Sequence, residues 1–303
     1  MNESIRKVLN QYDVGESESI QQIDKHNSWM IDDRFILKSF STDKGKAEKV
    51  AQLNALLHQE NAPVAKLHLT RTAGLCASVD GNYYTLVDKL PGTTEYAIYD
   101  GDSQKRLYTM GRTMAKLHLA MQKIDGKVEL WDNNIMDELH GWILKEVRDK
   151  KIPVKPEVIQ YCTDFAGLYH SLPRQIIHRN PHGGNMCLEN DEITGIFYFD
   201  MCQINSRIFD MCYAFSPYGC KYDFDKWQAH RPYFFSGYHE ISGISKDELA
   251  GYTYMTVLTE LLFVAFYSTR NQEDVMMKTL ESLHWIYDMR DEIVVCEKHL
   301  QRG

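Results

Sequence analysis

The sequence predicts an α+β fold of two lobes, with a small β-rich N-lobe over residues 1–91 and a mainly helical C-lobe over residues 92–303. Up to residue 91, short strand-like runs surround one helix-like run, and the pair Pro91-Gly92 then interrupts the pattern. Beyond it, long stretches carry apolar side chains at helical spacing. A chain of 303 residues is long enough to bury a sizeable core in such an arrangement.

Strands and one helix account for the N-lobe. The run RFILKSF at 34–40 alternates and is rich in β-forming residues, which predicts a strand. KAEKVAQLNALLHQ at 46–59 has apolar residues at helical spacing, and Pro63 prevents the helix from continuing. NYYTLVDKL at 82–90 predicts a further strand, which PGT at 91–93 ends.

Helices and one hairpin account for the C-lobe. RLYTMGRTMAKLHLAM at 106–121 predicts a core-facing helix, in which we interpret His118 as a hydrogen-bonded core residue rather than a ligand. The polar turn NDEI between two short apolar runs predicts a hairpin within 185–200. Ser245 and Glu248 form a capping-box pattern at the start of the long helical C-terminal region.

Charge and composition exclude several classes of partner. The chain has 34 basic and 42 acidic residues, a net charge of −8, and no long basic run, so we expect no nucleic acid or membrane surface as its main partner. The apolar run at 261–267 is too short to span a bilayer. The N-terminus lacks a signal-peptide core, and the seven cysteines form no CxxC pair, which favours reduced thiols and a cytoplasmic location. We expect a small-molecule ligand or acceptor, with a protein partner as a further possibility.

Two stretches in order resemble a known family. HRNPHGGN at 178–185 is similar to the catalytic loop H-x-D-x-x-x-x-N, and GIFYFDMCQINSRIFDMCY at 195–213 resembles the metal-binding segment that follows it. GRTMAKLH at 111–118 and FFSGYHEISGISKDEL at 234–249 add weaker likeness. Over nearly its whole length the chain resembles the aminoglycoside phosphotransferase and choline kinase superfamily of small-molecule kinases. The resemblance implies a protein-kinase-like fold and a site for ATP or GTP with Mg²⁺.

The resemblance implies a nucleotide-binding set in the N-lobe. Lys38 corresponds to the strand lysine that holds the α- and β-phosphates. A helix carboxylate orients that lysine in the family, and we assign Glu48 to this role, since Gln52 on the same helix face cannot form an ion pair. Asp88 and Leu90, just before the lobe boundary, are assigned to the same set.

The catalytic loop departs from the family at its central residue. His178 corresponds to the loop's structural histidine and Asn185 to a magnesium ligand. Asn180 stands where the family has the Asp that accepts the acceptor hydroxyl's proton. A neutral amide cannot accept that proton, and loss of a positioned base costs roughly 10²–10⁴ in rate. In an active enzyme, Asn180 would only orient the acceptor hydroxyl.

The metal-binding segment allows two registers. Aligned on Asn205, Arg207 and Asp210, it places Tyr198 where the family has a magnesium-binding Asp, and a phenol with a pKa of about 10 is a poor magnesium ligand. A two-residue shift gives the role to Asp200, on the same face because strand side chains alternate. We predict that Asp210 bonds the backbone of the catalytic loop.

The phosphate-covering turn is the third departure. Residues 21–31 contain no glycine, and His26 and Asn27 occupy the place of the turn, although glycine is what lets backbone amides approach a phosphate closely. Asn27 is still assigned to the cofactor site. The leading hypothesis is a pseudokinase or much weakened phosphotransferase that binds a nucleotide, a small hydroxylated ligand or a protein partner. The alternative is an active ATP- or GTP-dependent kinase of an amino alcohol, sugar or antibiotic, with Asp200 as metal ligand.

Overall fold

The structure, a computed structural model, describes residues 2–23, 27–94, 99–101 and 103–293. An antiparallel sheet forms the N-terminal part and helices form most of the remainder, which confirms the predicted α+β fold. Because His26 lies outside the described residues, the assignment of that residue to the phosphate-covering turn is not addressed by the structure.

The N-lobe is built on a six-stranded sheet. Its strands are β1 (Ile20–Gln22), β2 (Ser28–Ile31), β3 (Phe35–Ser39), β4 (Leu67–His68), β5 (Ala77–Val79) and β6 (Asn82–Asp88). The strand order is β1-β2-β3-β6-β4, and β5 also pairs with β6. The predicted strands at 34–40 and 82–90 are therefore the central pair β3 and β6.

Two helices flank this sheet. Helix α1 (Asn2–Leu9) buries Ile5 and Val8 in a small core with the sheet. Helix α2 (Lys44–Gln59) confirms the helix predicted at 46–59, and its buried residues Leu53 and Leu57 belong to the main core shared with the C-lobe. The chain thus joins the two lobes through α2 as well as through the connection after β6.

The connection after β6 passes through Gly92. Just after it, β7 (Thr93–Thr94) pairs with a C-lobe strand, β9 (Met186–Glu189). Gly92 has a φ of +87°, and a Cβ there would lie 2.3 Å from the carbonyl oxygen of Leu188, so only glycine fits this crossing.

Helices dominate the C-lobe. They are α3 (Gln104–Lys123), α4 (Ile135–Glu138), α5 (Leu144–Asp149), α6 (Pro156–Asp164), α7 (Ala166–Tyr169), α8 (Ile208–Ala214), α9 (Phe224–Ser242), α10 (Lys246–Thr269) and α11 (Glu273–Asp288), with a π-helical turn at Leu139–Ile143. Two strands, β8 (Arg174–Ile177) and β11 (Gln203–Ser206), pair antiparallel.

The predicted hairpin and the predicted helices are confirmed. Strand β9 pairs with β10 (Glu192–Ile196) around Asn190 and Asp191, whose φ values of +52° and +62° suit a tight hairpin turn. Helix α3 covers the run predicted at 106–121. The capping box of Ser245 and Glu248 starts α10.

Helix α10 is the central helix of the C-lobe core. By length and composition it is the one helix among the described residues that could cross a membrane, but 72% of its apolar window is buried within the protein. It contacts α6, α8 and α11. Core packing therefore accounts for its apolar character.

Candidate functional site

Asp210 on α8 anchors the catalytic loop, residues 178–185, through hydrogen bonds to its backbone. This buried carboxylate accepts hydrogen bonds from the backbone N–H groups of His178 (2.6 Å) and Arg179 (2.8 Å), which confirms the role predicted for Asp210. His118 Nε2 lies 3.1 Å from the same carboxylate, and His118 Nδ1 lies 2.7 Å from the hydroxyl of Tyr238. His118 is thus the hydrogen-bonded core histidine that the sequence indicated.

His178 ties the loop to the segment after β10. Its ring is buried, and burial lowers the pKa of His178, so the imidazole is neutral at pH 7. Nδ1 accepts the backbone N–H of Asn180 at 3.2 Å, which places the proton on Nε2, and Nε2 lies 2.9 Å from the carbonyl oxygen of Phe197. His178 therefore positions Asn180 rather than acting on a substrate.

Asn180 is held by a tyrosine that sequence reasoning missed. The hydroxyl of Tyr213 donates a 2.6 Å hydrogen bond to Asn180 Oδ1, and burial raises the pKa of Tyr213, so this phenol remains a neutral donor. Asn185 Nδ2 donates to the backbone oxygen of Asn180 at 2.8 Å. The amide oxygen of Asn180 is thus engaged, and its nitrogen can only donate.

Arg179 makes a second contact that anchors the loop, and the sequence did not indicate it. Its backbone has a φ of +71°, and its guanidinium bonds both oxygens of Glu138, at 2.8 and 2.9 Å. The guanidinium also lies 4.1 Å from the ring centre of Phe209. One guanidinium nitrogen, Nη2, makes both contacts, and this ion pair holds the Arg179 side chain beside the left-handed backbone that precedes Asn180.

Lys38 and Asp200 meet at the other end of the site. Lys38 lies on β3, and its Nζ is 2.5 Å from Asp200 Oδ1 and 4.2 Å from the ring centre of Tyr198. Tyr198 has a φ of +69°, and the short turn Phe199–Met201 follows it. The backbone turn thus brings Asp200 to the strand lysine, while the ring of Tyr198 lies beside the same ammonium group.

Helix α2 presents a lysine to the site, not the predicted glutamate. Glu48 pairs with Lys44 at 3.5 Å and is 47% exposed, and no ion pair joins it to Lys38 within the described residues. Lys46 Nζ instead lies 3.4 Å from Asp200 Oδ2. Positions 46 and 48 are about 200° apart around a helix, so both cannot face the site. The expectation that Glu48 orients Lys38 is therefore corrected, and the carboxylate paired with Lys38 is that of Asp200.

Asn27 lies close to Lys38 along the sheet edge. Its neighbour Ser28 is directly opposite Lys38 in the β2–β3 pair. Asn27 has a φ of +61°, and its carbonyl oxygen accepts the N–H of Ser39 at 2.9 Å. Its assignment to the cofactor site stays a prediction.

Asp88 and Leu90 mark the connection between the lobes. The Asp88 carboxylate is 2.6 Å from His68 Nε2, so it is already engaged within the sheet. The Leu90 side chain packs so closely on Gly195 of β10 that a Cβ there would lie 2.8 Å from a Leu90 methyl carbon. Their assignment to nucleotide binding stays a prediction.

The donor set fits a magnesium ion poorly. Mg²⁺ prefers carboxylate oxygens in octahedral geometry, but Asp200 is held by Lys38 and Lys46, and Tyr198 offers only a neutral phenol. Asn185 donates through its amide nitrogen to the loop backbone, which leaves its Oδ1 as one oxygen ligand, too few for a magnesium site by itself. Across the described ranges, no group of three or more His, Cys, Asp and Glu residues is arranged to hold a metal.

Comparison with known proteins identifies the family. The model of the phosphotransferase enzyme family matches residues 20–248, from β1 to the start of α10. The chain belongs to this family. No curated protein matches the chain.

Solved structures of similar fold include three small-molecule kinases. An amicoumacin kinase in complex with AMP-PNP and Ca²⁺ has a TM-score of 0.66 at 16% identity, covering 93% of this chain and 92% of its own. An aminoglycoside phosphotransferase from Alicyclobacillus acidocaldarius has a TM-score of 0.69 at 12% identity, covering 95% and 96%. A microcompartment-associated aminopropanol kinase has a TM-score of 0.68 at 14% identity, covering 97% and 99%. At these identities the likeness shows that this family member shares the kinase-like fold.

Proposed function

We propose that this phosphotransferase family member is a pseudokinase or much weakened phosphotransferase that binds a nucleotide. The observation that carries the proposal is the hydrogen bond from the Tyr213 hydroxyl to Asn180 Oδ1. Asn180 has no group that takes up the proton of an acceptor hydroxyl, and a missing general base lowers the rate by roughly 10²–10⁴. The loop around it nevertheless keeps its anchors, Asp210 and His178.

Retained nucleotide binding is supported at the opposite end of the site. Lys38 projects from β3 beside the loop that includes Asn27, and only 17% of its side chain is exposed. Structures of the same fold have been solved with AMP-PNP and with GDP. Phosphates are bound mainly by positioned positive charge and backbone donors, and the lysine meets the first of these needs.

Thermal unfolding with and without nucleotide tests this proposal. ATP, GTP and ADP are added in Mg²⁺ and in EDTA, with the Lys38→Met variant as control. A nucleotide at a hundred times its dissociation constant stabilises the folded state by about 2.7 kcal/mol, which gives a clear shift in Tm. We expect a shift for the wild type and none for Lys38→Met. If no nucleotide shifts the wild type, the proposal is wrong and a protein partner becomes the better hypothesis.

The Asn180→Asp variant tests whether the protein lacks only the general base of the catalytic loop. We expect Asn180→Asp to raise ATP hydrolysis by about 10² or more, because the loop geometry that positions the residue is intact. Tyr213→Phe is the matched control, since it frees the Asn180 amide without adding a base. Wild-type hydrolysis as fast as that of Asn180→Asp would contradict the proposal.

A second candidate is an active kinase of a small hydroxylated molecule. The observation in its favour is the ion pair between Asp200 and Lys38. Asp200 thus supplies a carboxylate next to the strand lysine, although Tyr198 occupies the position aligned with the family's magnesium-binding Asp. Beside Asn180, the ring centre of Tyr213 lies 4.9 Å from that of Phe263, so aromatic side chains adjoin the catalytic loop. Transfer of labelled phosphate from ATP by the wild type to an amino alcohol, sugar or aminoglycoside would favour this candidate.

A further inference from the structure

We propose that a nucleotide's phosphates bind between Lys38 and Lys46 and that this binding does not require a divalent cation. This inference rests on the proposed nucleotide binding and concerns how the same site neutralises the phosphates. Lys46 then supplies a positive charge that a metal ion would otherwise bring.

The geometry places both ammonium groups around one carboxylate. Lys38 Nζ is 2.5 Å from Asp200 Oδ1, and Lys46 Nζ is 3.4 Å from Asp200 Oδ2. Lys38 and Asp200 are largely buried, with 17% and 20% of their side chains exposed, whereas Lys46 is 44% exposed. Lys46 therefore stands at the rim of the site, where an incoming phosphate can reach it.

The position of Lys46 within α2 is unfavourable for a cation. The first turn of the helix contains Lys44 and Lys46 and no acidic residue, and the N-cap Asp43 offsets part of the positive charge by accepting the N–H of Lys46 at 2.9 Å. Unpaired N–H groups and the helix dipole make this end of a helix positive, so cations are destabilising there and anions are favoured. Asp200 offsets the charge of Lys46 in the structure, and a phosphate group would offset it further.

The charge balance of the cluster favours an anion over a divalent cation. Among the described residues, the ammonium groups of Lys38 and Lys46 both lie beside the carboxylate of Asp200. A divalent cation on Asp200 would lie beside the two like charges of the lysines. A phosphate carries the opposite charge and can accept hydrogen bonds from both lysines. Tyr198, at the position aligned with the family's metal-binding Asp, adds no negative charge.

Calorimetric titration of the full chain with ATP tests the inference. Each protein is titrated once in Mg²⁺ and once in EDTA, and the proteins are the wild type, Lys46→Gln and Lys49→Gln. Lys49 is the matched control because it is an exposed lysine of the same helix with no partner among the described ion pairs. Lys46 is half-exposed, so its removal changes stability little, and thermal unfolding without nucleotide verifies this for each variant.

We expect the wild-type dissociation constants in Mg²⁺ and in EDTA to agree within about threefold. We expect Lys46→Gln to weaken binding in EDTA by about tenfold or more, because a charge-assisted hydrogen bond to phosphate is lost. Lys49→Gln should bind as the wild type does. Binding that disappears in EDTA, or equal affinities of Lys46→Gln and Lys49→Gln, would overturn the inference and leave the proposed function standing. Absence of ATP binding in both conditions would overturn the proposed function, and the inference with it.

Discussion

Asp210 is the residue on which the catalytic loop most depends. Its carboxylate is fully buried and accepts two backbone N–H groups as well as the contact from His118. Hydrogen bonds to a charged group contribute about 1.5–3 kcal/mol each, and a buried donor left without a partner carries a desolvation cost. An asparagine has the same shape, but its NH₂ group cannot accept a hydrogen bond.

We therefore expect Asp210→Asn to lower the free energy of unfolding by about 3 kcal/mol, measured by urea denaturation. The matched control is Asp137→Asn, at an exposed position of α4, which should change it by less than about 0.5 kcal/mol. Equal values for the two variants would show that the loop is not anchored through Asp210.

The sequence predicted the site where its residues lie within one loop. His178, Asn180 and Asn185 are fixed relative to one another by spacing, and the structure brings them together. Tyr213 and Lys46 come from different elements, and the direction of a side chain from another helix is not contained in any spacing. Helix α2 illustrates the difficulty. Whether Lys46 or Glu48 faces the site depends on how the helix is rotated about its axis, and the sequence does not specify this rotation.

At the scale of elements, two helices begin with a serine that is used differently. Ser245 caps α10, where its hydroxyl accepts the N–H of Glu248 at 3.2 Å. Ser103 begins α3, but its buried hydroxyl has no hydrogen-bond partner within the part of the chain that the structure describes. The serine hydroxyl therefore accepts a backbone N–H at the start of α10, whereas the serine hydroxyl at the start of α3 makes no hydrogen bond within the described residues.

We expect Ser245→Ala to lower the free energy of unfolding by about 1 kcal/mol. Ser103→Ala should be neutral or stabilising, because it removes a buried hydroxyl that has no partner. Chemical denaturation of both variants measures the difference. A loss for Ser103→Ala as large as that for Ser245→Ala would contradict this account of the two caps.

Elements with many periodic residues were predictable, and short ones held by distant partners were not. β3, β6, α3 and the β9–β10 hairpin lie where their patterns place them. β7 has two residues, too few for any pattern, and exists because β9 offers it an edge.

At the scale of the whole molecule, an acidic protein with a net charge of −8 also buries a carboxyl group in its core. Glu260 on α10 is 2% exposed, and burial raises its pKa from 4.5 to about 8. Between these two values the folded state holds a proton that the unfolded state has released. The stability contribution of this group is thus fully present below pH 4.5 and is lost as the pH rises through about 8.

We expect the free energy of unfolding to fall with rising pH across this window, by at most about 1.4 kcal/mol per pH unit from this one group. Glu260→Gln should remove that slope, since a neutral amide has no proton to lose. Glu281→Gln, at an exposed position of α11, is the control and should retain it. Urea denaturation at several pH values makes the comparison, and identical slopes for all three proteins would contradict the assignment.

The connection between the lobes has a mechanical consequence. Thr194 Oγ1 donates a 2.7 Å hydrogen bond to the carbonyl oxygen of Pro91, and Leu90 packs on Gly195 without room for a Cβ. Both contacts fall on β10, and the chain leaves β10 directly toward Asp200. Because of these two contacts, the connection at residues 90–91 does not bend independently of β10. We expect rotation of the N-lobe to displace the carboxylate that holds Lys38, so that movement between the lobes also rearranges the charges of the site.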